Sequence, residues 1–229
     1  MPMPLHLKLW TALALEALFF AVLLFGAAGT IAWGAAWVYL ALFFGGGAWV
    51  SLLIMRHDPA LLAERMRSPI QKGQPFWDKL FLVSLIFVWC GWLVLMGLDA
   101  VRFRWTVMPG WLQSAGGALM VLSYGMIARV CLANTFLAAV VRIQAERGHR
   151  VISSGPYALV RHPLYAAVLI FIPANALVLG SWWGAAGSLV LAAAIVYRTV
   201  MEDRELQRGL EGYAEYAARV RYRLIPRVW

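Results

Sequence analysis

The chain is short of the residues on which soluble catalysis and nucleic-acid binding draw. Only 14% of its 229 residues are charged, and it holds four histidines, two cysteines and 11 acidic residues against 20 Lys and Arg. Cys90 and Cys131 lie in or at the end of apolar segments, with no CxxC spacing and no nearby His, which argues against a disulfide framework. His6, His57, His149 and His162 lack the close spacing of a metal site, so no metal is expected. No repeat, low-complexity tract or flexible linker divides the chain, and residues 1–229 read as a single domain. The net charge of +9 would suit nucleic acid, but most basic residues flank apolar runs. Membrane lipids with anionic headgroups are the expected partner, and nucleic acid is not.

What the chain has is apolar length: 62% of it is hydrophobic. A bilayer core of ~30 Å takes about 20 mainly apolar residues to cross as a helix. Segments near 9–28, 31–55, 80–98 and 105–128 meet that length. A fifth run of 34 uncharged residues, Leu164 to Tyr197, would extend about 50 Å as one helix. Pro173, Asn175, Gly180 and Gly184 interrupt it, so it reads as two short helices in a hairpin turning near 179–184. The expected fold is an all-α integral membrane protein with five to six transmembrane helices, including this C-terminal hairpin. A C-terminal amphipathic helix follows over 199–223, where Leu206, Leu210, Tyr213, Tyr216 and Val220 recur at helical spacing. The first segment reads as a retained span and not a cleavable signal, because Glu16 lies inside it and no small-x-small site follows.

With the N-terminus inside, the connections 56–79, 129–161 and 198–229 carry five, five and seven Lys or Arg. Together with Lys8 they hold 18 of the 20, and only Arg102 and Arg104 fall on the other face. The bias orients a multi-pass protein with its polar cassette towards the cytoplasm. In the connection 56–79, Ala60–Met66 reads as a short interfacial helix and Trp77 as a headgroup-level anchor.

The cassette comprises Gly155-Pro156-Tyr157, Arg161-His162-Pro163-Leu164-Tyr165, Arg198 and Glu202-Asp203. Polar groups beside an apolar hairpin are costly at a membrane boundary and mark a candidate site. Pro163 suits the first turn of a helix, whose free N–H groups and dipole favour an anion. Glu202 suits a cationic amine, and Arg198 a second anion through bidentate hydrogen bonds. A plainer account fits the same residues: a helix start with a locally bonded His, belt tyrosines, and an i,i+4 contact between Arg198 and Glu202. Spacing alone leaves both open.

The ordered set GPYxxVRHPxY, hairpin, RxxxED and YxxYxxRVRYRLIP resembles the isoprenylcysteine carboxyl methyltransferase family and its relatives, the phospholipid methyltransferases. The specific resemblance covers about residues 134–229, and His57–Arg65 is similar to the family's early polar connection. It implies residues 1–133 as a membrane platform and 134–229 as the cofactor-binding and catalytic region. It implies S-adenosylmethionine as methyl donor, held on the cytoplasmic side by His149, Arg150, Val151, Ile152, Tyr157, His162, Pro163 and Tyr165. Gln144 joins these with a less certain alignment. Glu202 matches the family's cofactor-contacting glutamate, and Arg198 an arginine on the acceptor's carboxylate side, which makes it the catalytic candidate. The acceptor implied is lipid-like or prenylated, a small molecule or a peptide. No obvious general base is present, which favours methylation of a carboxylate over an amine. Two features depart from the pattern: Asp203 replaces the second glutamate, and Leu210-Glu211-Gly212-Tyr213 replaces FGxxY. Sterol reductases that use NADPH share a similar helix start and are one alternative; a non-catalytic protein that keeps the fold is the other.

Overall fold

The computed structural model describes residues 3–229, and every element in them is helical. Helix α1 spans Leu5–Ala28 and stops at Gly29, whose left-handed backbone (φ 73°) returns its N–H to the carbonyl of Phe25. Helix α2 runs Gly34–His57, and Asp58 then caps α3, Pro59–Arg65, by accepting the N–H of Leu61 at 2.9 Å. This is the interfacial helix expected from the sequence, displaced by one residue. Helix α4, Phe76–Gly97, continues into a π turn at Leu98–Arg102, and α5 covers Gly110–Ala133.

The apolar run of 34 residues does break where its glycine lies. Helix α6, Pro163–Leu179, ends at Gly180 in the left-handed region (φ 75°), and the Ser181 hydroxyl caps α7 by accepting the N–H of Gly184 at 2.8 Å. The second arm is not short, however. Helix α7 runs unbroken over Trp182–Gly209 and absorbs the first half of the expected amphipathic helix. Gly212, with φ 76°, then turns the chain into α8, Tyr213–Arg219. Hence the 199–223 segment is two helices, because the left-handed backbone at Gly212 cannot continue an α-helix, and Leu210, Tyr213 and Tyr216 from the two sides of the break pack into one buried cluster.

Five helices (α1, α2, α4 with its π turn, α5 and α7) are long and apolar enough to cross a bilayer, and α6 is a shorter apolar helix of 17 residues. Helix α6 forms the centre of the bundle. Its Phe171, Ile172, Ala174, Ala176, Val178 and Leu179 are buried among Tyr39, Leu93, Met96, Met120 and Leu191. Gly116 permits this: a Cβ there would stand 2.6 Å from that of Leu177 and 2.8 Å from the backbone nitrogen of Val178, so α5 lies directly on α6.

The two ends of the bundle are pinned differently. At one, the buried carboxylate of Asp99 accepts from Thr106 (2.9 Å), the Ser181 hydroxyl (2.6 Å) and the backbone of Trp183 (3.2 Å), tying the π turn to the hairpin tip. The fourth span begins at Gly110, not near 105, because Thr106 is held in that turn. At the other end, the polar connections after α2, α5 and α7 meet one another through ion pairs and hydrogen bonds, and the candidate site is built there.

Candidate functional site

The chain leaving α5 crosses this end without regular structure, so its backbone groups need partners. Asp78, fully buried at the start of α4, accepts the N–H of Val141 at 2.9 Å and the Gln74 amide at 2.7 Å. Glu64 of α3 pairs with Arg142 at 2.8 Å, and Arg65 donates to the carbonyl of Leu137 at 3.1 Å. Asn134 orders the first turn: its amide donates to the Tyr157 hydroxyl at 2.9 Å and its carbonyl accepts from the N–H of Phe136 at 2.8 Å. Three separate elements, α3, α4 and the segment that carries Tyr157, thus hold a connection that has no ladder of its own.

Gln144 is fully buried inside this connection. It donates to the carbonyl of Phe136 at 2.6 Å and accepts from Arg147 at 2.5 Å, so its side chain shapes the loop and does not line the cleft. Its backbone N–H points at Nδ1 of His149, 3.3 Å away, and the imidazole is stacked on Phe136. Burial, with Arg147 and Arg142 nearby, holds His149 below the usual imidazole range. A neutral ring accepting at Nδ1 carries its proton on Nε2.

The second wall begins at Gly155, whose φ of 59° turns the chain into a short 3-10 turn, Gly155–Ala158. Beyond it, the N–H groups of Arg161 and His162 each donate at 2.9 Å to the carbonyls of Tyr222 and Arg223. The last stretch of chain is thereby laid along the start of α6. Asp203, 1% exposed, organises these pieces. Its carboxylate lies 3.0 Å from Arg161 Nε, 3.1 Å from His162 Nε2 and 3.1 Å from Arg223 Nε, and it accepts from Tyr213 at 2.9 Å and Gln207 at 3.0 Å. The sequence presented Asp203 only as a substituted second acid. Its partners lie up to 42 residues away, and no local pattern links them.

Between the two walls lies a cleft. His149, Arg150, Val151, Ile152, Tyr157, His162, Pro163, Tyr165 and Glu202 all line it. So do residues that the sequence did not assign to the site, chiefly Phe136, Leu137, Arg142, Leu206 and Tyr213. Leu206 and Tyr213 were visible as part of the amphipathic face, which turns out to serve as a wall of the cleft. The Tyr165 hydroxyl donates to Glu202, and the ring of Tyr165 stacks on that of His162. Burial raises the phenols of Tyr157 and Tyr213 above their usual range and pushes that of Tyr216 up to about 12. All three are therefore hydroxyl donors at neutral pH.

Arg198 is placed behind this wall and not in it. Its guanidinium lies 3.0 Å from Asp78, donates to the carbonyl of Ala139 at 2.9 Å, and sits over the rings of Phe81 and Tyr165. No Arg198–Glu202 ion pair occurs among the described residues; Arg198 reaches the other way, to α4. Among those residues no group of three or more His, Cys, Asp or Glu is arranged to hold a metal ion.

Residues 116–208 match the isoprenylcysteine carboxyl methyltransferase family. The match begins inside α5, takes in the connection after it, α6 and α7 through Glu202 and Asp203, and stops before Leu210, Tyr213 and Tyr216 of the cleft lining. It supports a membrane methyltransferase. The chain is also similar to the cobalt-zinc-cadmium resistance protein CzcN of Cupriavidus metallidurans, 32% identical over 102 residues. That similarity covers 44% of this chain and 47% of CzcN, so the chain spans about half the length of the curated relative it matches.

Proposed function

We propose that the protein is an S-adenosylmethionine-dependent methyltransferase acting at the membrane interface on a lipid-like or prenylated acceptor, and that it methylates a carboxylate oxygen. The observation that carries this reading is the cleft itself. It combines an acid, a neutral imidazole and an apolar strip at the end of a bundle built to sit in a bilayer.

The donor set suits the cofactor's parts. Glu202 is the carboxylate for the ammonium, and Tyr165 holds that carboxylate in place by its hydrogen bond. The protonated Nε2 of His149 and the first N–H groups of α6 would receive the cofactor's carboxylate, since those N–H groups have no intrahelical partner. Val151, Ile152, Leu206 and Leu210 offer apolar surface for the nucleoside. When bound, S-adenosylmethionine supplies a methyl group on a sulfonium and leaves as a neutral thioether. An acceptor carboxylate is already ionised at neutral pH, so no side chain has to take a proton. The chain's task is to align the reactants and exclude water, and alignment alone can supply about 7–11 kcal/mol of the barrier. Arg198 acts as a positioning residue: it braces Tyr165 from behind and ties α7 to Asp78. With 18 of 20 Lys and Arg at the end that holds the cleft, that end faces the cytoplasm, from which the donor enters.

Calorimetric titration of the purified protein with S-adenosylhomocysteine, with NADPH in parallel, tests the reading. Saturable binding of S-adenosylhomocysteine alone is expected. Binding of NADPH alone would transfer the protein to the reductase class, and binding of neither to folded protein would make it non-catalytic.

A further inference from the structure

A second hollow opens on the flank of the bundle, walled by α1, α2, α5 and α6 with α3 at its inner end. Its lining is largely apolar, including Leu13, Val50, Ile127 and Phe171. Of its charged side chains, Arg67 is paired with Glu64 at 3.0 Å, which leaves Glu16 and Arg65, two groups that the proposed chemistry does not use. Glu16 stands eleven residues past the start of α1, roughly 16 Å along that helix, and so near the middle of a span. No ion pair among the described residues includes it. Arg65, at the inner end, donates to the carbonyl of Leu137 and has no acidic partner among those residues.

A carboxyl group facing hydrocarbon at that depth is expensive unless something hydrogen-bonds to it, and such residues mark ligand paths. The hollow also lies next to the cleft along α6. Leu164, Val168 and Phe171 form one i, i+4, i+7 stripe of α6; Leu164 lines the cleft and the other two line the hollow. Leu137, whose carbonyl Arg65 holds, lines the cleft as well.

We propose that this groove seats an anionic amphiphile whose hydrocarbon chain carries a hydroxyl group. Arg65 receives the acidic head beside the cleft, and Glu16 hydrogen-bonds the hydroxyl about 10 Å deeper than Leu9. The groove's selectivity then comes from Glu16: a plain chain leaves a carboxyl group unpartnered in hydrocarbon, whereas a hydroxylated one satisfies it. Calling this ligand the methyl acceptor rests on the methyltransferase reading; the groove's preference does not.

The test uses the full chain in lipid nanodiscs, with a photoreactive fatty acid and its mid-chain hydroxylated counterpart, and peptide mapping of the labelled sites. The hydroxylated probe should label α1 and α6 about tenfold more efficiently, the equivalent of one well-made buried hydrogen bond. Glu16→Leu should abolish that preference and Glu16→Gln should keep it, while Arg65→Gln should weaken labelling by both probes about tenfold. Equal labelling of the wild type by both probes, or a preference that survives Glu16→Leu, overturns the proposal. Titration with S-adenosylhomocysteine on the same samples separates the two readings. Normal cofactor binding without groove preference removes only this inference, and groove preference without cofactor binding removes only the methyltransferase.

Discussion

Replacing Asp203 by Asn puts the deepest claim about the site at risk. The substitution preserves shape but exchanges an anionic acceptor for a neutral amide, one end of which must face Arg161 or Arg223 as a donor. Arg161 is 7% exposed and pairs with no acid but Asp203 among the described residues, so its charge would stay buried without a counter-ion. Breaking a buried pair by removing one partner costs about 3–5 kcal/mol. Arg223 is 31% exposed, and its part in that figure is small because water can replace the lost contact. The loss should be local. Amide exchange should speed up over 155–165 and 213–225, which Asp203 joins, while α1 and α2 stay protected. Affinity for S-adenosylhomocysteine should fall at least about tenfold, since His162 and Tyr213 lose their common anchor. Thermal melting in detergent, exchange mass spectrometry and calorimetry on one preparation read all three effects. Asp99→Asn is the internal control: it removes an equally buried hub at the far end, so it should lower the melting temperature and leave cofactor affinity unchanged. An Asp203→Asn protein as stable and as well bound as the wild type would refute the hub argument, and so would equal loss of affinity in Asp99→Asn.

Three further outcomes follow from the same geometry. Glu202→Ala should weaken S-adenosylhomocysteine binding by about 1.5–3 kcal/mol, the worth of one hydrogen bond to a charged group, with melting little changed; unaltered affinity in calorimetry would remove Glu202 from the site. Arg198→Lys keeps the charge opposite Asp78 but loses the planar fork, and should slow turnover more than it weakens cofactor binding; equal loss of both would count against a positioning role. His149 binds its proton less readily in the folded protein than in the unfolded chain, so the loop 144–152 should be fully stable above pH about 6.5 and lose stability as pH falls below it. Amide exchange of that loop against pH measures the slope, and His149→Phe should flatten it; an unchanged slope would show that another group is titrating.

The membrane fold was legible because long apolar runs leave few alternatives. The hairpin could be placed because Gly180 tolerates the left-handed turn that other residues resist. Boundaries slipped where tertiary contacts overrode composition. Trp105-Thr106-Val107-Met108 is apolar enough for a span, yet Asp99 holds Thr106 in a turn. The residues of the cleft walls were legible as motif positions, His149 to Ile152, Tyr157, His162 to Tyr165 and Glu202, because their spacing is local. Arg198 and Gln144 carried the same signal, but they stand behind the walls. Each is turned away by a distant partner, Asp78 for Arg198 and the carbonyl of Phe136 for Gln144. A periodicity argument has no access to such partners.

Helix α7 is pinned at both extremities, by Asp99 through Ser181 at one end and by Asp203 at the other. Its 28 residues make a rod of about 42 Å against a hydrocarbon layer of ~30 Å. A membrane that thickens or thins must tilt or strain that rod, at a modest cost for each ångström of mismatch. Because Glu202 rides on its last two turns, such tilting is transmitted directly to the cleft. Lipid composition therefore becomes an input to the shape of that cleft, acting as mechanical load and not as ligand.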